Sequence, residues 1–219
     1  MKELIAEAAE VIHQSKMTLA LTGAGISVES GIPDFRSAGG LWSKYDPEEY
    51  ATIGAFREKP EKVWQMLRDM DEIVSNAKPN KAHIGLGELE SMGLLQCIIT
   101  QNVDNLHQAG GARNVIEYHG NSSTLSCLQC GRKYSAKDKQ GEFPPRCECN
   151  AILKPDVVFF GEAIPGIAKR NGAKIIEINK EETHLTHSIT DIFIQGGAGE
   201  IISALVAEVK RRLGSCGNG

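Results

Sequence analysis

Residues 17–27 read MTLALTGAGIS, an apolar run that leads directly into two glycines. The run from Met17 to Leu21 has the length and composition of a short apolar strand. Gly23 and Gly25 would let a phosphate approach the main chain, and a helix N-terminus after them would offer free N–H groups. This pattern favours a dinucleotide-binding unit, although Gly-x-Gly turns also simply join strands to helices. The third glycine of the hydride-transfer fingerprint is missing, so an ordinary dehydrogenase is not indicated.

Other short apolar runs alternate with helical patterns along the chain. We expect further strands at 94–100, 115–118, 157–160 and 174–178, and helices over 4–12, 60–74, 82–92 and 201–213. The polar stretch 29–46 is rich in glycine and proline and is typical of a long functional loop. The alternation of strands and helices predicts an α/β fold with a parallel sheet.

Composition excludes several classes of protein. The 219 residues are 41% hydrophobic and 24% charged with a formal net charge of −4, which is ordinary for one globular domain with a small insert. The negative charge argues against direct sequence-specific binding of nucleic acid. No apolar run approaches the ~18 residues of a membrane-spanning helix, so no membrane partner is expected. The acidic N-terminal stretch does not resemble a secretory signal, and we expect a cytoplasmic, reducing location.

Four of the six cysteines form two short knuckles, Cys127-Leu-Gln-Cys130 and Cys147-Glu-Cys149. Four thiolates presented in this way fit a tetrahedral zinc ion that has no open position for a substrate, hence a structural site. Zinc would fold the stretch 122–151, which has little apolar content of its own. A disulfide pair or a redox dithiol remains the alternative, and the second knuckle is one residue shorter than the usual Cys-x-x-Cys. No role is indicated for Cys97 and Cys216.

His119 is the candidate catalytic residue, at the end of the predicted strand 115–118 and just before Gly120. In open parallel sheets the ligand crevice lies at the carboxyl ends of the strands. The polar side chains expected at the same edge are Gln101, Asn102, Asp104, Asp34 and Arg36. Imidazole titrates near neutral pH and can serve there as a general base. A purely structural histidine is the simpler interpretation, and it stands for the other five histidines, which have no comparable setting.

Several segments resemble one known family. They are GAGISVESGIPDFRS (23–37), TQNVDNLHQAG (100–110), the pair His119-Gly120, the two cysteine knuckles, and KPDVVFFGE (154–162). In this order and spacing they resemble the sirtuins, which are NAD-dependent protein-lysine deacetylases, and the resemblance resumes from about Ile167 to the C-terminal helix. It implies a Rossmann-like parallel sheet with helices on both faces, formed by 1–46, 82–121 and 152–219. It also implies a helical insert at 47–81 and a small zinc-ribbon-type module at 122–151.

The resemblance implies a reaction and a set of site residues. In sirtuins the acyl oxygen attacks the ribose carbon that bears nicotinamide, nicotinamide leaves, and a histidine acts as base on a ribose hydroxyl. The products are free lysine and 2′-O-acyl-ADP-ribose, so acetyl-lysine proteins or peptides are the expected partners. The implied catalytic residues are His119, Asn102 and Asp104. The implied NAD-binding residues are Gly23, Ala24, Gly25, Ser27, Asp34, Phe35, Arg36, Gln101, Asn102, Asp104 and Asn179. The implied substrate-binding residues, which would pair with the peptide, are Val158, Phe159 and Gly161. The implied ligands of the structural zinc are Cys127, Cys130, Cys147 and Cys149.

The chain departs from the sirtuin pattern between Glu162 and Lys174, where only about a dozen residues make the connection. Sirtuins carry there a further helix and a strand that ends in Gly-Thr/Ser-Ser, which help to bind NAD and one side of the peptide. Either the loss is real, which would weaken NAD binding, or the natural protein has residues here that these 219 lack. We favour the second explanation, because removal of a central parallel strand should unfold the domain. An intact mass that matches the 219 residues would contradict it.

A second departure concerns the acyl group. Desuccinylase-type sirtuins have Tyr-x-x-Arg in the helix after the cofactor loop, whereas residues 63–68 read VWQMLR. We therefore predict neutral acyl groups such as acetyl. Mono-ADP-ribosyl transfer to protein, and a catalytically impaired NAD-binding scaffold, remain the alternative functions.

Overall fold

The computed structural model describes residues 1–33, 40–159, 174–183, 186–188 and 190–215. Its helices are α1 (Lys2–Gln14), α2 (Leu41–Lys44), α3 (Pro47–Tyr50), α4 (Ile53–Glu58), α5 (Pro60–Asn76), α6 (Lys81–Ser91), α7 (Leu106–Ala109) and α8 (Ala198–Ser215), with 3-10 helices at Ala24–Ser30 and Ala136–Lys139. Its strands are β1 (Leu19–Thr22), β2 (Cys97–Thr100), β3 (Val115–Glu117), β4 (Gly120–Ser126), β5 (Lys133–Ser135), β6 (Lys154–Val157), β7 (Ile176–Asn179) and β8 (Ile192–Gln195).

Two parallel sheets share one apolar core. In the first, β1 and β3 flank β2, and Ala20, Ile98 and Val115 point from its three strands into the core. The second consists of β7 and β8, whose isoleucines enter the same core against α1 and α8. The predicted α/β class with parallel strands is therefore confirmed.

A third sheet is antiparallel and has the order β5-β4-β6. It carries the four knuckle cysteines and a small core around Leu125 and Leu153. Helices α3 to α5 pack around Phe56, Val63 and Met66, and Phe159 from the segment after β6 joins the same cluster. The indole of Trp64 joins the two regions, because its Nε1 donates to the carbonyl oxygen of Leu153 at 2.8 Å.

Some element boundaries differ from the sequence-based expectations. The strand predicted at 157–160 is wrong in position, since β6 ends at Val157 and pairs antiparallel with β4 outside the parallel sheets. β6 begins with Lys154 and Pro155, which argue against a strand in the sequence. Lys154 is nevertheless only 5% exposed, because its amine donates to the carbonyl oxygens of Pro155 and Val157. The predicted loop 29–46 contains α2, and β8 was not predicted at all.

The carboxyl ends of β1 and β8 meet at one edge of the molecule. Glu29, in the 3-10 helix after β1, accepts a hydrogen bond from the backbone of Gly199 in the first turn of α8, at 3.0 Å. Both parallel sheets therefore present their carboxyl ends to the same side. No helix among the described residues is long and apolar enough to cross a membrane.

Candidate functional site

Polar side chains from β1 and β2 meet where these strands end. The amide nitrogen of Asn102 donates to the carbonyl oxygen of Gly23 at 3.2 Å and to the hydroxyl of Ser27 at 3.1 Å. Ser27 in turn donates to a carboxylate oxygen of Asp104 at 2.6 Å. Ser27 is 1% exposed, so this hydroxyl is a fixed support that holds Asn102 and Asp104 in one arrangement.

His119 lies beside this cluster at the end of β3. Its Nδ1 is 3.0 Å from the carbonyl oxygen of Gln101, the residue before Asn102. A carbonyl oxygen can only accept, so Nδ1 carries the hydrogen in this contact and Nε2 keeps its lone pair. The residue is half-buried, which leaves the ring accessible from the edge of the sheet. His119 is thus held in the tautomer that a general base needs.

Gly120 allows the chain to turn from His119 into β4. Its φ is +73°, and a Cβ at this position would lie 1.8 Å from the carbonyl oxygen of Asp156. The carbonyl oxygen of His119 also accepts a hydrogen bond from Val158 at 2.8 Å. The backbone around the histidine is therefore fixed by close contact with β6 and the segment that follows it.

Two buried histidines pack against the cluster of Ser27, Asn102 and Asp104 and support it. The sequence analysis did not predict this contact. The backbone N–H of Asn80 donates to Nδ1 of His83 at 3.2 Å, so Nε2 of His83 carries hydrogen toward the hydroxyl of Ser27, 3.4 Å away. His107 packs against His83 with the ring centres 5.0 Å apart, and its Nε2 is 2.8 Å from the hydroxyl of Thr22. Burial lowers the pKa of His83, and it lowers the pKa of His107 to about 4. Both rings are therefore neutral near pH 7. The segment TQNVDNLHQAG (100–110) contains His107 and was the sequence signal from which this support could have been predicted.

The glycines after β1 border open space. A Cβ on Gly23 or on Gly25 would meet no atom within 4 Å, as expected where a ligand approaches the main chain. Ala24, which lies between the two glycines, is the first residue of the 3-10 helix. Asn179 ends β7 and is exposed, and its side-chain oxygen accepts from the backbone of Lys180 at 2.9 Å.

The predicted substrate-pairing positions follow β6. Val158 is bonded to the carbonyl of His119, and the ring of Phe159 is 6% exposed and packs 5.8 Å from that of Phe56. This segment consequently runs beside the candidate base. The predicted site residues Asp34, Phe35, Arg36 and Gly161 lie outside the described residues, as does Cys216.

The four knuckle cysteines form a cluster that fits a zinc ion. Their sulfur atoms all lie within 4.8 Å of one another, with Cys127 and Cys149 3.6 Å apart and Cys130 and Cys147 3.5 Å apart. Tetrahedral zinc with Zn–S bonds of ~2.3 Å requires sulfur separations of ~3.8 Å. A hydrogen bond with the hydroxyl of Tyr134 helps to lower the pKa of Cys147 to about 6, which favours the thiolate that binds metal.

Comparisons with known proteins agree with this architecture. A model described as the Sir2 family matches residues 23–186. The NAD-dependent protein deacylase 2 of Pyrobaculum aerophilum is 42% identical over 239 positions, covering 94% of this chain and 96% of that protein. A solved complex of a Sir2 homologue with NAD is 40% identical with a TM-score of 0.84, covering 94% of both chains. A Sir2 structure with a deacetylated p53 peptide and 3′-O-acetyl ADP ribose is 30% identical with a TM-score of 0.83, covering 93% of this chain and 98% of that one.

The Pyrobaculum comparison also bears on the length of the chain. Its 239 matched positions exceed the 219 residues of the whole chain. The relative must therefore contain residues that have no counterpart here. This agrees with the sequence-based conclusion that a segment of the sirtuin pattern is absent.

Proposed function

The chain belongs to the Sir2 family, the sirtuins, and from this premise we propose that it removes acetyl groups from lysine side chains of proteins at the expense of NAD, with His119 as the base. The products are nicotinamide, O-acetyl-ADP-ribose and free lysine. The observation that carries the assignment of the base is the contact between Nδ1 of His119 and the carbonyl oxygen of Gln101. It leaves Nε2 as the one ring nitrogen able to take a proton.

The residues around His119 orient NAD and the substrate and shield them from water, and they do not react themselves. NAD supplies the activated ribose carbon and the leaving group. Asn102 and Asp104 are held by Ser27 at the carboxyl end of β2, where we place the nicotinamide end of NAD. We assign Asp34, Phe35 and Arg36 to the binding of the same end of NAD. Groups fixed before the substrate arrives lower the barrier, because no orientation has to be gained during the reaction. A loop that closes over the site would also exclude water from the reacting carbon.

The remaining NAD contacts lie along the ends of β1 and β7. We assign the phosphates to the open space above Gly23 and Gly25, with Ala24 beside them. Gln101 lies along the nicotinamide ribose, and Asn179 reaches the adenosine ribose. The exposure of Asn179 at a strand end supports this role.

The substrate is an acetyl-lysine protein or peptide that pairs as an added strand with Val158, Phe159 and Gly161. Phe159 supports this placement, because its buried ring anchors the segment beside His119 and leaves the backbone to contact the peptide. The acetyl-lysine would enter from this side and NAD from the side of Gly23. The solved Sir2 structure with a p53 peptide is consistent with a peptide substrate.

The zinc ion is structural in this account. Cys127, Cys130, Cys147 and Cys149 would complete its shell, so it would stabilise the 122–151 module without contacting substrate. We infer a division into the module, a helical insert at 47–81 and an NAD-binding domain formed by the rest. A cluster of four cysteines that binds zinc instead of forming disulfides supports a cytoplasmic, reducing location.

The test is a deacetylation assay on an acetyl-lysine peptide with NAD labelled in its adenosine. We expect the deacetylated peptide to form only when NAD is present. The label should be recovered in O-acetyl-ADP-ribose. The matched control is the same peptide without the acetyl group, which should release no nicotinamide. Label on protein would indicate mono-ADP-ribosyl transfer instead, and NAD binding without any product would indicate a scaffold.

A further inference from the structure

His107 is a buried side chain that the proposed reaction does not use. It lies on α7, and its Nε2 is 2.8 Å from the hydroxyl oxygen of Thr22. A hydroxyl group can both donate and accept, so this hydrogen bond forms with either tautomer of the neutral ring. Among the described residues, Nδ1 of His107 has no hydrogen-bond partner. Within that part of the chain, the polar contact of this ring is therefore the hydroxyl of Thr22.

The position of His107 is fixed by the packing of α7 against α6. A Cβ on Gly110, just after α7, would lie 2.9 Å from the Cβ of His83 on α6, so the two segments approach as closely as a glycine allows. The backbone N–H of Ala112 donates to the carbonyl oxygen of His107 at 3.0 Å. His107 therefore offers Thr22 a partner that cannot move away from it.

Thr22 ends β1 and directly precedes residues 23–25, which we call the glycine turn. The backbone N–H of Gln101 donates to the carbonyl oxygen of Thr22 at 3.0 Å, and that of Ile26 donates to the carbonyl oxygen of Gly23 at 3.1 Å. Glycine has no side chain that could restrict the backbone, so a turn built on it is ordered by the residues on either side. The side chain of Thr22 is the anchor on the β1 side.

The two buried histidines contact hydroxyl groups on both sides of the glycine turn. His107 contacts Thr22 before the turn, and Nε2 of His83 lies 3.4 Å from the hydroxyl of Ser27 after it. The two rings pack against each other with their centres 5.0 Å apart. Burial lowers the pKa of both histidines, so they add no positive charge near pH 7. Because these rings are buried and neutral, they can influence a bound phosphate only through the turn.

We propose that His107 is a positioning residue for NAD, which acts through the hydroxyl of Thr22 to hold the glycine turn in the conformation that receives the phosphates. The inference rests on the proposed function in one respect, the assignment of the NAD phosphates to this turn. A turn that is ordered before the ligand arrives does not have to be ordered at the expense of affinity. If the receptive conformation fell to about a tenth of the free molecules, the apparent Kd would rise about tenfold.

The test is calorimetry of ADP-ribose binding to the zinc-loaded protein. ADP-ribose carries both phosphates but no nicotinamide, so its binding does not depend on turnover. Thr22→Val keeps a similar shape and removes the hydroxyl, and it should raise the Kd about tenfold, as the loss of one buried hydrogen bond allows. Thr22→Ser keeps the hydroxyl and should bind like the unaltered protein. Thr18→Val is the matched control, because the buried hydroxyl of Thr18, just before β1, has no hydrogen-bond partner in the described part of the chain.

Two further measurements separate positioning from a general loss of stability. His107→Leu removes the same hydrogen bond from the other side, and it carries the test if Thr22→Val does not fold. Since both substitutions remove one bond, the double variant should bind ADP-ribose about as weakly as each single variant, and not about a hundredfold more weakly than the unaltered protein. In turnover, Thr22→Val should raise the KM for NAD and leave kcat and the KM for the acetyl-lysine peptide unchanged, because the turn holds phosphates and does not contact the reacting carbon.

The outcomes distinguish this inference from the proposed function. Unchanged affinity of Thr22→Val for ADP-ribose would overturn the positioning role, and so would an equal loss in Thr22→Ser or Thr18→Val. A loss of kcat in Thr22→Val without a change in the KM for NAD would overturn it as well. An unaltered protein that binds ADP-ribose and shows the Thr22→Val effect but does not deacetylate would refute the proposed function alone. No binding of ADP-ribose by the unaltered protein would overturn both.

Discussion

Replacement of Gly120 by alanine tests how strictly the backbone beside His119 is fixed. The φ of +73° costs a residue with a Cβ about 1–2 kcal/mol. The new Cβ would also lie 1.8 Å from the carbonyl oxygen of Asp156, which must move against the β4–β6 pairing at about 1–3 kcal/mol more. We therefore expect Gly120→Ala to lower the free energy of unfolding by about 2–5 kcal/mol.

Gly93→Ala is the matched control. Gly93 has a φ of +75° and no atom within 4 Å of the added Cβ, so it should lose only the conformational part, about 1–2 kcal/mol. Urea unfolding of both zinc-loaded variants, analysed with a common slope, gives the difference. An equal loss in the two variants would show that the contact with Asp156 does not constrain the turn after His119.

Three further predictions follow from the buried histidine, the cysteine cluster and α5. Because burial lowers the pKa of His107 from 6.5 to about 4, the unfolded chain binds a proton that the folded chain does not. The free energy of unfolding should therefore fall as pH drops from 6.5 to 4, by about 3 kcal/mol for this group. In urea titrations at several pH values, His107→Gln should reduce this dependence of the unfolding free energy on pH. An unchanged pH dependence would contradict the assignment. Cys147→Ser should reduce bound zinc measured by mass spectrometry of the native protein, while Cys97→Ser, outside the cluster, should keep one zinc per chain; equal zinc contents would refute the four-cysteine site. Acetyl-lysine peptide should turn over faster than succinyl-lysine peptide in a competition assay, since residues 63–68 lack the tyrosine of desuccinylases, and the reverse order would show that other residues select the acyl group.

The sequence was informative where one local pattern had one physical explanation. The apolar run before Gly23 and the two cysteine knuckles predicted a strand and a thiol cluster, because each needs only nearby residues. The strand at 154–157 was missed because a lysine and a proline opened it. Only tertiary contacts show that the lysine amine is satisfied there by backbone carbonyls.

The support beneath the site could not be predicted for a similar reason. His83 lies on a helix 56 residues from Ser27 in sequence, and a buried histidine has no distinguishing local pattern. Long-range pairing was the information that local reasoning lacked.

The most direct test of the account is a comparison of His119→Ala with the unaltered chain. NAD binding is measured by calorimetry, and NAD-dependent transfer of the acetyl label from an acetyl-lysine peptide to O-acetyl-ADP-ribose is followed in parallel. Loss of a general base should reduce turnover by about 10²–10⁴-fold, while NAD affinity stays within a few-fold because Nε2 acts on a hydroxyl and not in binding. Turnover that survives the substitution would contradict the role of His119, and with it the central claim.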